Sequence, residues 1–189
     1  YAVYHGPDGL KIIALRIHRL TNILKAGMKQ LGFSADNIYY FDTLTFSLGK
    51  KCDSIYERAL EEGINLRKTD SQQLGISLDE ETTKEDIVTL WRVFAGDKKL
   101  PSLDELDSHF MDLNNDSGIP KNLRRTSDIL THSVFHQYHS ETAMLRYLRY
   151  LQDKDIALDR AMIPLGSCTM KLNATSEMIP ISWSEFANI

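Results

Sequence analysis

Residues 162–173, which read MIPLGSCTMKLN, form the part of the sequence that is richest in groups able to do chemistry. Pro164 and Gly166 predict a turn. A thiol, an amine, an amide and two hydroxyls follow closely, on Ser167, Cys168, Thr169, Lys171 and Asn173. Few surface loops carry so many reactive groups so close together between apolar residues. The alternative interpretation is a buried polar turn with a structural role alone.

A second chemical pattern is formed by three histidines at His132, His136 and His139. On a helix these spacings would place the rings on one face, as in zinc sites, with Glu141 as a further ligand or general base. That arrangement would favour a metal-dependent hydrolase. Two features speak against it. The residues around His132 include β-branched types that disfavour a helix, and Ser140 predicts a helix N-cap that leaves the histidines outside.

Residues 162–173, together with residues 130–142 (LTHSVFHQYHSET), resemble signatures of the glycine cleavage system P-protein family, whose members depend on pyridoxal phosphate. Shorter segments, 1–7 (YAVYHGP), 41–44 (FDTL) and 74–80 (LGISLDE), resemble the same family. The resemblance spans nearly the whole chain and is strongest from about Arg125 onward. The family pattern has Asn where this chain has His136, which favours the prediction that the three histidines bind no zinc tightly.

The resemblance implies an enzyme that decarboxylates glycine with pyridoxal 5′-phosphate and transfers the aminomethyl group to the lipoyl arm of the H-protein. The family's cofactor lysine is expected beyond Ile189, so the resemblance places no catalytic residue in this chain, which is expected to be inactive alone. It does imply seven residues that line the substrate and cofactor cleft, and no metal ligand. These seven residues are Ser167, Cys168, Thr169, Lys171, Asn173, His132 and His139; a purely structural role is the alternative for the two histidines.

The partners implied by the resemblance are glycine, the H-protein, the remaining domains of the same enzyme and a second copy in a homodimer. The location would be the cytoplasm in a bacterium or the mitochondrial matrix in a eukaryote. The metal-dependent hydrolase stays an alternative, as does a non-catalytic module that only binds a partner. A net charge of −4 and the absence of a long apolar run argue against nucleic-acid binding and a membrane span.

Periodicity predicts the elements that position these groups. Residues 8–31 carry apolar residues at helical spacing, and residues 38–48 alternate as a strand. Asp53 is predicted to cap a short helix, residues around Leu66 and at 74–78 to form strands, and Thr82 with Glu85 to form a capping box. A further helix, capped by Ser102, is predicted to run to about Leu113.

The predicted fold class is α/β with α+β character: a small helix-covered sheet followed by a helical or extended arm. Three regions are predicted, a small domain at 1–96, a polar linker at 97–120, and residues 121–189 as the start of a second half. By resemblance they belong to a fold type I enzyme, cut from a longer protein. Cys52 is predicted to be a packing residue, and Phe135, Leu148 and Trp183 are predicted to be exposed.

Overall fold

The structure is a computed structural model that describes residues 1–111, 118–154 and 175–187. The helices are α1 (Ala2–Gln30), α2 (Cys52–Glu61), α3 (Lys84–Ala95), α4 (Leu103–His109), α5 (Glu141–Asp153), α6 (Thr175–Met178) and α7 (Ser184–Ala187). The strands are β1 (Thr43–Ser47), β2 (Arg67–Lys68) and β3 (Gln73–Ser77). Short 3₁₀ turns lie at Gly49–Lys51, Lys121–Leu123, Ser133–His136 and Ile179–Ser182.

The three strands form one antiparallel sheet in the order β1-β3-β2. Leu44 lies opposite Ile76 and Phe46 lies opposite Leu74, and all four side chains are buried. This confirms the predicted alternation within β1, since every second residue of a strand faces the same side of the sheet. Residues 38–42, predicted to belong to the same strand, lie outside it. Helices and an antiparallel sheet share one core, so the fold is α+β.

Helix α1 supplies much of that core, as its periodicity predicts. Leu20, Leu24 and Met28 are buried along one side of the helix. The helix ends where Gly32 takes a φ of 90°, and the amide of Phe33 donates to the carbonyl of Met28 at 2.9 Å. Glycine after the last helical turn thus allows the chain to reverse and satisfies an otherwise unpaired carbonyl.

Helix α3 packs across α1 through a large aromatic side chain. The indole of Trp91 is fully buried, and its Nε1 donates to the carbonyl of Leu24 at 3.2 Å. A Cβ on Gly27 would lie 2.2 Å from the indole, so only glycine permits this approach of the two helices.

Three predicted helix ends were wrong by one or a few residues. Helix α2 begins at Cys52, so Asp53 lies inside its first turn and pairs with Lys68 at 2.6 Å instead of capping it. The capping box of α3 is formed by Thr83 and Asp86, since Thr82 is held in the preceding turn by hydrogen bonds to Asp79. Helix α4 ends at His109, four residues before the predicted Leu113.

Helix α4 lies on the core, although it falls in the region predicted as a polar linker. The Ser102 hydroxyl caps it as predicted, and Leu103, Leu106 and Phe110 are partly buried against the core. Asp107 binds Arg19 of α1 at 2.5 Å and Lys84 of α3 at 2.7 Å. The domain boundaries at residues 96 and 120 stay predictions.

Helix α5 begins as predicted, with the Ser140 hydroxyl accepting from the amide of Ala143. None of its residues is buried by the described part of the chain, and Leu148 and Leu151 are exposed. Trp183 is also exposed, as predicted. Phe135 is half-buried instead, because it packs in the turn before α5 that contacts α1.

Among the residues that the structure describes, no helix has both the length and the apolar character required to cross a membrane.

Candidate functional site

The N-terminal end of α1 contains a sharp backbone break at Gly6. Its φ of 65° and ψ of −176° lie in a region that glycine adopts almost exclusively. Pro7 follows, at the position where a fixed φ suits the first turn of a helix. The short turn before Gly6 is therefore redirected relative to the long helix after it.

The turn before α5 packs into this break. The Nδ1 of His139 donates to the carbonyl of Tyr4 at 2.7 Å, linking residues that are 135 positions apart. A Cβ on Gly6 would lie 2.6 Å from Cε1 of His139 and 2.7 Å from the carbonyl oxygen of Phe135. We call this contact, formed by Tyr4, Gly6, Phe135 and His139, the Gly6–His139 joint. It brings together residues 1–7 and 130–142, two of the motifs quoted above.

The hydrogen bonds of His132 and His139 orient the two rings with opposite roles. The Nδ1 of His132 accepts from the amide of Val134 at 3.1 Å, because a backbone N–H can only donate. A neutral His132 therefore carries its proton on Nε2 and presents a donor. His139 donates through Nδ1 to a carbonyl, so its neutral form presents an acceptor at Nε2.

The backbone is strained at Leu130, the residue whose carbonyl binds the ring of His136. Leu130 has a φ of 51°, a value that non-glycine residues with large side chains rarely adopt. Its carbonyl accepts from Nε2 of His136 at 2.9 Å, which holds the strained backbone in place. Backbone strain of this kind concentrates at functional sites, and this residue immediately precedes the Thr131–His132 pair.

The three histidines therefore each hydrogen-bond a different backbone group through one ring nitrogen. The partners are the Val134 amide for His132, the Leu130 carbonyl for His136 and the Tyr4 carbonyl for His139. Over residues 1–111, 118–154 and 175–187 no three acidic, histidine or cysteine side chains lie together as a metal site would require. The geometry gives the hydrolase alternative no support, and the expectation that these histidines bind no zinc stays a prediction.

The remaining predicted cleft residues lie outside the described residues. These are Ser167, Cys168, Thr169, Lys171 and Asn173. The other cysteine, Cys52, is fully buried in the core as predicted, and its burial raises the pKa of the thiol.

A cleft of about 750 Å³ lies beside the joint, between the beginning of α1 and residues 125–131. Its polar groups include Asp8, Lys11, Arg125, Asp128 and His136. The sequence gives no sign that Lys11 and Arg125 line this cleft. A single charged residue on a helix, such as Lys11, or in a loop, such as Arg125, is usually a solvated surface side chain. The only available signal was that residues 1–7 and 130–142 resemble one family.

Two kinds of comparison with known proteins agree on the family. Residues 1–94 match the family model of the glycine cleavage system P-protein. Over its whole length the chain is 54% identical to the glycine dehydrogenase (decarboxylating) of Cupriavidus metallidurans and 54% identical to that of Paraburkholderia xenovorans. The corresponding protein of Paraburkholderia phytofirmans is 53% identical. The chain belongs to the glycine cleavage system P-protein family.

The chain spans 19% to 20% of the length of these curated relatives. The family model matches residues 1–94, where the resembling segments are short. The sequence predicted the strongest resemblance after Arg125 instead. The matches to the curated relatives run over the whole chain, so they include both regions.

Proposed function

We propose that this chain is part of an enzyme that decarboxylates glycine and transfers the aminomethyl group to the lipoyl arm of the H-protein. The observation that carries the proposal is the 54% identity, over the full chain, to proteins named glycine dehydrogenase (decarboxylating). Pyridoxal 5′-phosphate, when bound, would supply the electron sink that the loss of CO2 requires.

Among the described residues, the two lysines with a shifted pKa, Lys25 and Lys68, do not fit the role of the lysine that holds pyridoxal phosphate. A lysine that holds this cofactor needs an accessible amine with a lowered pKa. Burial, and to a smaller extent the positive charge of Lys29, lowers the pKa of Lys25. Its amine is not free, however, because it donates to the Asn37 carbonyl and lies 4.0 Å from the centre of the Tyr40 ring. The hydrogen bond to Asp53 raises the pKa of Lys68. We therefore assign no reaction step to these residues.

The proposed contribution of this chain is to line one side of the glycine and cofactor cleft. Ser167, Cys168, Thr169, Lys171 and Asn173 would supply the hydrogen bonds and the positive charge there. His132 and His139 would add a donor and an acceptor, since each ring keeps its Nε2 available after binding the backbone through Nδ1. In the whole enzyme, the exposed apolar residues of α5 would be covered by other domains or by a second copy.

The named relatives are bacterial, which supports a cytoplasmic location over a mitochondrial one.

Glycine–bicarbonate exchange, measured in the presence of H-protein, tests the proposal on an intact enzyme that carries this segment. Changing Ser167, Thr169 or Lys171 to Ala should slow exchange by about 5- to 150-fold, because a lost hydrogen bond in the cleft costs about 1–3 kcal/mol. Lys50→Ala, at an exposed position outside the signature and not among the proposed cleft residues, is the matched control and should exchange normally. If all three variants kept the parent rate, the signature would be a structural turn.

A further inference from the structure

A second cleft lies further along α1 and is used by no step of the proposed function. It has a volume of about 460 Å³ and is lined by α1, by Phe41, by Phe110 after α4, and by Ile119, Leu123, Arg124 and Arg125. It shares Lys11, Ala14 and Arg125 with the cleft beside the Gly6–His139 joint. Its volume lies within the range of roughly 300–1,000 Å³ that small-molecule sites occupy.

The lining of this cleft is positively charged. Lys11, Arg19, Arg124 and Arg125 all line it, and none of the described residues that line it is acidic. The sequence as a whole carries a net charge of −4, so this cluster does not follow from a basic composition. A concave surface lined by one sign of charge concentrates ligands of the opposite sign.

Arg19 contributes its positive charge to this lining. Its terminal nitrogen binds Asp107, which does not line this cleft, but its Nε is buried and has no hydrogen-bond partner among the described residues. A buried N–H without a partner is unfavourable. An anion bound in the cleft would lie beside the positive charge of Arg19, whose Nε is itself too buried to contact it.

Apart from His18 and Asn22, the rest of the lining is apolar. Phe41 and Leu123 are 39% and 65% exposed, and Phe110 and Ile119 complete the same wall. An inorganic ion would leave these side chains in water, whereas a ligand with a hydrocarbon body would cover them.

We propose that this cleft binds a small organic anion, with one carboxylate or phosphate monoester attached to a hydrocarbon body. The acidic group lies among the four cations, and the hydrocarbon lies against Phe41 and Leu123. This proposal does not depend on the glycine reaction, because no residue assigned to that reaction lines the cleft.

Isothermal titration of the purified chain with octanoate, octyl phosphate and octanol tests the proposal. Both anions should bind saturably at one site, and octanol, which has the same hydrocarbon without the charge, should bind at least about fivefold more weakly. The stronger of the two anions identifies the acidic group that the site prefers. Saturable binding of octanol as tight as that of the anions would overturn the proposal, as would no saturable binding at all.

Two variants locate the site. Lys11→Glu should weaken octanoate binding by about fivefold or more, the effect expected when an exposed charge pair is lost and a like charge introduced. Ala14→Phe should weaken it by filling the cleft without changing its charge. Lys121→Glu, an equal charge change at an exposed residue outside the lining, is the control. Octanoate binding that is unchanged in folded Lys11→Glu or in folded Ala14→Phe would refute the site.

Discussion

Gly6→Ala should open the Gly6–His139 joint while leaving the core folded. The backbone at Gly6, with φ 65° and ψ −176°, costs an alanine about 1–3 kcal/mol. The new Cβ would also lie 2.6 Å from Cε1 of His139 and 2.7 Å from the Phe135 carbonyl, so the ring and the backbone must both move. Overpacking of this kind typically costs a further 1–3 kcal/mol.

The strain in Gly6→Ala can be relieved either by local opening of the joint or by unfolding of the core. The joint is held by one long-range hydrogen bond at a surface position, whereas the core includes fully buried residues of the sheet and of α1 and α3. The cheaper response is therefore local opening of residues 133–139. A joint destabilised by about 2 kcal/mol exchanges its amide hydrogens about 30-fold faster.

Hydrogen–deuterium exchange read by mass spectrometry measures this difference. Peptides from residues 130–153 should exchange faster in Gly6→Ala, and peptides from β1 and β3 should not. Gly63→Ala is the matched control, since Gly63 also has a positive φ, of 71°, but a Cβ there meets nothing within 4 Å. Equal exchange of residues 133–139 in the Gly6→Ala variant and in the parent chain would refute the role given to this glycine.

The remaining predictions concern the core and its polar contacts. Gly27→Ala should lower the free energy of unfolding by about 3 kcal/mol, because the new Cβ would overlap Trp91 and this outweighs the better helix propensity of Ala. Chemical denaturation measures this change, and an unchanged denaturation midpoint would contradict the close approach of the two helices. Asp107→Ala should speed proteolysis within residues 97–111, because α4 loses its two ion pairs, whereas Asp104→Asn should not. In a Cys168→Ser background, Cys52 should react with a thiol reagent only as fast as the protein unfolds. Because burial raises its pKa, its contribution to stability is complete below the unfolded thiol's pKa and is lost as the pH rises through the raised value; increasing stability in alkaline denaturation would contradict this.

The sequence predicts the first unit well because its residues express local rules. The apolar spacing of α1, the alternation of β1 and the glycine after Leu31 each follow from backbone periodicity or from conformational freedom at one residue. The errors lie at helix ends, where neighbouring hydroxyls and carboxylates compete for the same capping position. Thr82 and Thr83 differ in role only because Asp79 holds the first of them.

The candidate site could not be predicted in the same way, because its contacts join distant parts of the chain. Nothing in the spacing of His132, His136 and His139 indicates that each ring binds a separate backbone group. Likewise, the sequence does not indicate why residue 6 is a glycine, because the side chain that excludes a Cβ there, His139, is distant in sequence. Family resemblance pointed to residues 1–7 and 130–142, and the tertiary structure shows that these two segments meet at the Gly6–His139 joint.

The Gly6–His139 joint explains how a small α+β unit can position a segment that it does not enclose. Helix α5 has no buried residue in the described part of the chain; Tyr147 stacks on Tyr138 of the preceding turn with ring centroids 4.1 Å apart, but burial does not fix the direction of the helix there. Its first residues are fixed instead by Ser140, which caps the helix, and by the neighbouring His139, which is tied to Tyr4. Within the described residues, the start of α5 is therefore tied to the beginning of α1 through the preceding turn, with His139 and Gly6 in direct contact.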